Sequence, residues 1–228
     1  MGFFFQSFIE AGQLILARDP QVLKITLTSL QVSAGAIVLA AAIGVPSGFV
    51  IGITAFKGRG LLITFLNTLM ALPTVMIGLA GYGLISRQGL LGFLQLLFTP
   101  TAMLCGQCLL ATPIIMALTI SAIQGLDPRV QSTALVLGAS STRAAVTMLA
   151  EARFAVLVAI ITGFGRIIGE VGAAMMLGGN IKDYTRTLST AIALETSKGE
   201  FGFALALGLI LMSVALGVNF LLRLLQRK

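Results

Sequence analysis

The chain has 228 residues, of which 57% are hydrophobic and only 10% are charged, whereas soluble domains carry about 25% charged residues. A globule of this length could not bury so much apolar surface, so the composition excludes a soluble globular enzyme and indicates a membrane protein with several spans. The net charge of +7 does not indicate nucleic-acid binding, because the basic residues stand at the ends of apolar runs, and the absence of histidine removes the usual haem ligand and the usual catalytic base.

Residues 1–23 are predicted to form an N-terminal interfacial segment. The stretch from Gly2 to Ala17 is rich in phenylalanine, but it is short and is interrupted by Gln6, Glu10 and Gln13. Such a pattern favours an amphipathic helix that lies in the membrane interface rather than one that crosses the bilayer. The sequence Arg-Asp-Pro at 18–20 predicts its end.

Five long, mainly apolar stretches predict membrane helices over the rest of the chain, residues 24–228. A helix needs about 20 apolar residues to cross about 30 Å of hydrocarbon. The predicted spans lie near residues 25–55, 61–85, 101–124, 154–178 and 201–222. Pro100 suits the first turn of the third span, and Pro73 and Pro113 predict kinks within their spans.

The distribution of charge predicts the orientation of these five spans. With the C-terminus inside, the inner segments carry eight basic and two acidic residues, and the outer segments carry six basic and five acidic residues. Arg223, Arg227 and Lys228 cluster at the C-terminal end of the last span. Because cytoplasmic segments are enriched in Lys and Arg, we expect the N-terminus outside and the C-terminus in the cytoplasm.

The predicted cytoplasmic loop at 125–153 reads as two short helices. Asp127 and Pro128 suit the start of the first, Gly138 suits its end, and Ser140 or Ser141 suits the N-cap of the second. The hairpin is either a simple connection or a docking surface for another protein, and the second interpretation rests on apolar residues that it would expose. These residues are Val130, Ala134, Leu135 and Val146.

This loop resembles the EAA---G loop in the permeases of binding-protein-dependent ABC importers. The matching residues are Ser132-Thr133-Ala134-x-x-x-Gly138, with Ser132 where that family has glutamate. In that family the loop contains a coupling helix that sits in a cleft of the ATP-hydrolysing subunit. The resemblance therefore implies an ATPase-coupling surface, for which the candidates are Ser132, Thr133, Ala134, Gly138, Ser141 and Arg143.

A second motif, at residues 163–181, resembles the corresponding segment of molybdate, tungstate and sulfate permeases. Their approximate pattern is F-x-R-A-x-G-E-x-G-A-x-x-M-x-x-G-N, and the wording here is most similar to tungstate permeases. The matching residues are Arg166, Gly169, Glu170, Gly172, Ala173, Met176, Gly179 and Asn180. The resemblance extends over nearly the whole chain from about Thr26.

The resemblance implies a type I ABC importer permease with an all-α membrane fold. It also implies a homodimer in the plasma (inner) membrane of a bacterium or archaeon, two ATPase subunits that bind ATP and Mg²⁺, and an external binding protein that delivers tungstate. Molybdate and sulfate are the alternative substrates. This chain has no GxxxxGK[ST] motif, so we expect it to hold no cofactor and to be no enzyme.

A secondary transporter and a channel are the alternatives from other classes. Secondary transporters commonly show repeated halves with ion sites at the membrane midplane, and this chain shows no repeat and one acidic residue within a predicted span. A channel would leave the cytoplasmic hairpin unexplained.

Arg166 and Glu170 are charged residues within a predicted span, so each needs a partner or a wet cavity. They are candidates for the translocation pathway or its gate, together with Met176, Gly179 and Asn180. The alternative is an i,i+4 ion pair that only joins two helices.

Two glycine stripes predict close helix packing in lipid. The first is Gly44, Gly48 and Gly52. The second is Gly165, Gly169 and Gly172. Cys105 and Cys108 have CxxC spacing but lie in an apolar span, and without further ligands they are predicted to be packing residues.

Overall fold

The computed structural model describes residues 2–226 and is all-α over that range, as predicted. Met1, Arg227 and Lys228 lie outside the described residues, and with them two of the basic residues that support the predicted orientation. In chain order the helices are α1 Gly2–Leu16, α2 Pro20–Ile53, α3 Arg59–Met70, α4 Thr74–Ile85, α5 Pro100–Gln124, α6 Arg129–Val136, α7 Ser141–Glu151, α8 Arg153–Ile168, α9 Gly172–Gly178, α10 Leu188–Lys198 and α11 Phe201–Gln226.

Within residues 2–226, three uninterrupted helices are long and apolar enough to cross a membrane, namely α2, α5 and α11. The count rises to five if each of two bent helix pairs forms one span: α3 with α4, bent by 94°, and α7 with α8, bent by 60°. The domain limits 1–23 and 24–228 stay a prediction.

The prediction of one helix over 61–85 is wrong, because the chain breaks between Met70 and Thr74. Proline lacks a backbone N–H and disfavours the helical conformation in the residue before it. Pro73 therefore does more than kink the helix, and α4 begins afresh after it.

The prediction of one helix over 154–178 is also wrong. Helix α8 ends at Ile168 and α9 begins at Gly172. We refer to residues 169–171 between them as the polar break. A further helix, α10, follows in the segment 179–200, where no helix was predicted.

The predicted helix start at Pro100 is confirmed, and α2 begins in the same way at Pro20, where the sequence predicted only the end of the preceding helix. An Asp19 carboxylate oxygen accepts the backbone N–H groups of Gln21 at 2.8 Å and Val22 at 3.1 Å, and Pro20 takes the first position of α2. Thr99 accepts the Ala102 N–H in the same manner at 3.3 Å, ahead of Pro100. These caps satisfy N–H groups that a helix cannot pair within itself.

Helix α5 is the centre of the fold, with α2, α3, α8 and α9 packed around it. The predicted stripe on α2 lies at its closest contact with α5. A Cβ added at Gly44 or Gly52 would come within 3.0 Å of Ile115 or Ile123, and one added at Gly48 would lie 2.7 Å from the Met116 carbonyl oxygen. The absence of side chains on this stripe therefore lets the two backbones approach.

We expect Gly48→Ala to destabilise the chain by about 1–3 kcal/mol, because the new methyl group would press on backbone that cannot move aside easily. The measurement is the apparent melting temperature of the purified protein in detergent. Gly208→Ala in α11 is the matched control, since no atom of the described chain lies within 4 Å of a Cβ there. Equal melting temperatures for the two variants would contradict the packing role of Gly48.

Candidate functional site

The two predicted helices of the 125–153 loop are present as α6 and α7. An Asp127 carboxylate oxygen accepts the Arg129 N–H at 2.9 Å at the start of α6, and Gly138 has φ +86° where the chain turns after it. Of the two serines considered, Ser140 is the N-cap of α7, and its hydroxyl accepts the Arg143 N–H at 3.4 Å. We refer to α6, α7 and their connecting turn as the hairpin.

The hairpin carries an open groove of about 600 Å³ between its two helices. Thr133, Ala134, Gly138 and Arg143, four of the six residues that the resemblance singles out, line this groove. Ser132 and Ser141 are exposed but are not among the lining residues.

The apolar surface of the hairpin lies partly where it was predicted. Leu135 and Val146 are exposed, as expected, whereas Val130 and Ala134 are half-buried. The most exposed apolar residues of the hairpin, Val136 and Leu137, were not predicted and have relative accessibilities of 87% and 81%. Val136 is the last residue of α6 and Leu137 follows it, so the apolar surface is most exposed where α6 meets the turn.

The polar break contains Glu170, which is not on the same helix as Arg166. The Arg166 guanidinium lies 3.0 Å from a Glu170 carboxylate oxygen, and the other carboxylate oxygen accepts the Ala173 N–H at 3.1 Å. Glu170 therefore pairs with the end of α8 and caps the start of α9. The pair is asymmetric, since the Glu170 side chain is 3% exposed and the Arg166 side chain is 43% exposed.

Side chains from other helices hold the backbone at the polar break. Gln107 in α5 donates its amide N–H to the Ile167 carbonyl at 3.3 Å, and its amide oxygen accepts the Ser33 hydroxyl of α2 at 3.2 Å. The Ser189 hydroxyl of α10 donates to the Glu170 carbonyl at 2.7 Å. Gln107, Ser33 and Ser189 were not among the predicted site residues.

Helix α10 begins within the packed part of the fold, close to the polar break. Its first N–H, from Leu188, donates to the Ser29 hydroxyl of α2 at 2.6 Å. Thr187 and Thr190 form a reciprocal capping box at the same end, and all three of these helix-start residues are buried. The pattern Thr-x-x-Thr resembles the capping box, and this was the signal that could have predicted the helix.

The exposed face of α8 presents small and polar groups toward its C-terminal end, after the exposed Val158 one turn earlier. Thr162, Gly165, Arg166 and Gly169 are all exposed along it. Within this chain the prediction of a second packing stripe finds no contact at Gly165 or Gly169, since no atom of the described chain lies within 4 Å of a Cβ added at either, and packing there against another chain stays a prediction. The prediction holds for Gly172, where a Cβ would lie 2.8 Å from the Val75 side chain.

The remaining candidates lie at the other end of α9. A Cβ added at Gly78 of α4 would lie 3.0 Å from Met176, so Met176 of α9 packs closely against α4. Gly179 has φ +69° and ends α9, as predicted, with the Phe98 ring against it. Asn180 donates to the Thr190 carbonyl at 3.4 Å, and its buried side-chain oxygen has no hydrogen-bond partner among the described residues. The structure thus brings Arg166 and Glu170 together but separates them from these three.

Metal-binding side chains are sparse in the part of the chain that the structure describes. No group of three or more His, Cys, Asp or Glu residues is placed there to hold a metal ion. Cys105 and Cys108 are free, with Cys105 exposed and Cys108 half-buried.

The chain is similar over its whole length to permeases of known transport systems. It is 37% identical over 228 residues to the tungstate uptake system permease protein TupB of Peptoclostridium acidaminophilum, covering 100% of both chains. It is 40% identical over 227 residues to TupB of Campylobacter jejuni, covering 100% of this chain and 95% of that protein. No family model matches the chain.

A solved structure has the same fold. The crystal structure of an amino acid ABC transporter with histidines matches with a TM-score of 0.69 over 93% of this chain and 96% of that one. The two sequences are 16% identical, so the match concerns the fold alone.

Proposed function

Because the chain belongs to the permease subunits of the molybdate, tungstate and sulfate group of ABC importers, we propose that it carries tungstate inward across the plasma (inner) membrane of a bacterium or archaeon. The substrate comes from the two tungstate uptake permeases that match the chain over its full length. As a permease subunit the chain is not itself an enzyme, and the ATPase is a separate subunit.

In this proposal one ATPase subunit, with ATP and Mg²⁺, docks on the hairpin of each of two copies of the chain. Support comes from the groove that Thr133, Ala134, Gly138 and Arg143 line beside the exposed Leu137. An apolar side chain so exposed outside the lipid gains stability when a partner protein covers it. The hairpin then faces the cytoplasm, the N-terminus is outside, and an external binding protein delivers the anion to the opposite surface.

A second copy of the chain completes the pathway, and the open face of α8 is the observation that carries this part of the proposal. Arg166 lies about 20 Å along α8 from its first residue, near mid-membrane. A half-exposed arginine there costs at least about 2.5–3.5 kcal/mol in contact with lipid. Gly165 and Gly169 leave room beside it, so two copies with these faces opposed enclose a wet path with Arg166 on its wall.

Arg166 then lowers the barrier to a passing oxyanion, and Glu170 offsets the charge so that the anion is not trapped. A guanidinium forms charge-assisted hydrogen bonds with oxyanions. Its carboxylate partner is buried at 3% exposure, so the cation and not the carboxylate is presented to the open side.

The test is tungstate uptake into proteoliposomes that contain this chain and its ATPase, with the binding protein added outside. We expect uptake that needs ATP and the binding protein, and that stops when the nucleotide-binding lysine of the ATPase is replaced. Competition by molybdate and by sulfate then ranks the three anions. Uptake that persists without ATP would indicate a channel or a secondary transporter instead.

A further inference from the structure

We propose that Gln107 is a positioning residue for anion transport, which sets the place of Arg166 by anchoring the last turn of α8. This inference rests on the proposed role of Arg166 in the pathway. Gln107 lies on α5, is buried, and makes no hydrogen bond to the Arg166 guanidinium among the described residues, so it acts through the backbone that carries Arg166.

Both ends of the Gln107 amide are hydrogen-bonded. The side chain is 3% exposed, its N–H donates to the Ile167 carbonyl, and its oxygen accepts the Ser33 hydroxyl. A buried amide without partners costs about 1–3 kcal/mol, so these bonds specify one position for the amide. Gln107 thereby ties α2, α5 and the end of α8 together at one point.

The carbonyl that Gln107 binds lies next to Arg166 in the chain. Ile167 directly follows Arg166, and its carbonyl is one that the broken helix cannot pair in the normal i,i+4 pattern. It also accepts the backbone N–H of Glu170 at 3.1 Å, which holds the polar break in its turn. A change at Gln107 therefore moves both partners of the Arg166–Glu170 pair, whose charges lie at the border between the packed interior and the open face.

The other contacts at the polar break do not fix the end of α8. Ser189 holds the Glu170 carbonyl from the α10 side, and the Glu170 carboxylate holds the start of α9. Those two bonds fix the side of the polar break that leads into α9. The bond from Gln107 fixes the side that carries Arg166.

The test compares Gln107→Leu with Arg166 variants in the proteoliposome assay, with uptake and ATP hydrolysis measured together. Loss of the amide should lower tungstate uptake per ATP about tenfold, with the transporter still assembled as judged by gel filtration. Ser33→Ala, which frees only one end of the amide, should lower uptake per ATP in the same way but less strongly. It replaces Gln107→Leu as the test variant if Gln107→Leu does not fold. Gln124→Leu, at the exposed C-terminal end of α5, is the matched control and should leave uptake per ATP unchanged.

A double substitution separates positioning from a general structural role. In Arg166→Lys the flexible side chain reaches the path without a fixed helix end. Adding Gln107→Leu to it should therefore lower uptake per ATP by less than about twofold, because residues that act through one another are not additive. Full additivity, or unchanged uptake per ATP in Gln107→Leu and Ser33→Ala, would overturn the positioning role alone. Unchanged uptake in Arg166→Gln would instead overturn the proposed role of Arg166, and the positioning role with it.

Discussion

Replacing Arg166 with glutamine is expected to lower tungstate uptake at least about tenfold in proteoliposomes that contain the complete transporter. The substitution removes the cation from the open face and leaves the Glu170 carboxylate without its partner 3.0 Å away. At an effective dielectric constant of about 20, a carboxylate about 6 Å from a dianion adds roughly 5 kcal/mol to the energy of that dianion. Only part of this energy needs to be felt at the transport barrier to exceed the 1.4 kcal/mol that corresponds to a tenfold change in rate.

The double variant Arg166→Gln/Glu170→Gln decides whether the pair acts on the anion or only joins two helices. It removes both charges, while the glutamine oxygen at 170 can still accept the Ala173 N–H that Glu170 now accepts. If Arg166 attracts the anion, uptake by the double variant lies between that of Arg166→Gln and that of the unchanged protein. If the pair is only structural, neutralising both partners restores full uptake.

Glu170→Gln alone gives the complementary result. Arg166 then keeps its charge without a neutralising partner, so the anion should be held longer on the pathway. We expect a lower maximal uptake rate together with a lower tungstate concentration at half-maximal rate. A higher concentration at half-maximal rate would contradict this account of the pair.

The class of the fold could be predicted from the sequence because apolar runs and helix caps are local features. Asp19 before Pro20, Thr99 before Pro100 and Gly138 after α6 end or begin helices where the residue types require it. The contacts of Gly48 with α5 also follow from a local stripe of small residues.

The polar break could not be placed in the same way, because its partners are distant in the sequence. A run of apolar residues on both sides of 169–171 indicates one helix, and bonds from the distant Gln107 and Ser189 to backbone carbonyls help to compensate for the break. These residues are 60 and 19 positions away from the groups that they bind. The sequence therefore predicts Arg166 and Glu170 as a candidate pair, but not which of them is buried.

The two broken helices pack against each other. Gly172, at the start of α9, lies against Thr74 and Val75 at the start of α4. Backbone carbonyls freed at such breaks are satisfied by side chains of neighbouring helices, as Gln107 and Ser189 do here. Movement of the hairpin, joined directly to α8 through Ala152, would thus reach the polar break along one helix.

Leu137→Asp in the hairpin is expected to weaken ATPase binding about 100-fold and to abolish uptake. The side chain is 81% exposed in this chain, so the substitution removes no internal packing and should leave the permease folded. Burial of a leucine in an interface contributes about 1.5–3 kcal/mol, and the buried aspartate adds a desolvation cost. The measurement is the amount of ATPase that copurifies with the permease, together with its dissociation constant in detergent.

Thr142→Asp provides the matched control for this prediction. It introduces the same charge on an exposed hairpin residue outside the groove, and a general effect of negative charge on the hairpin would appear in both variants. We expect normal ATPase binding for Thr142→Asp and loss for Leu137→Asp, since apolar contact at the turn and not overall charge holds the partner. Equal binding of the ATPase by both variants and by the unchanged protein would show that the exposed turn is not the docking surface.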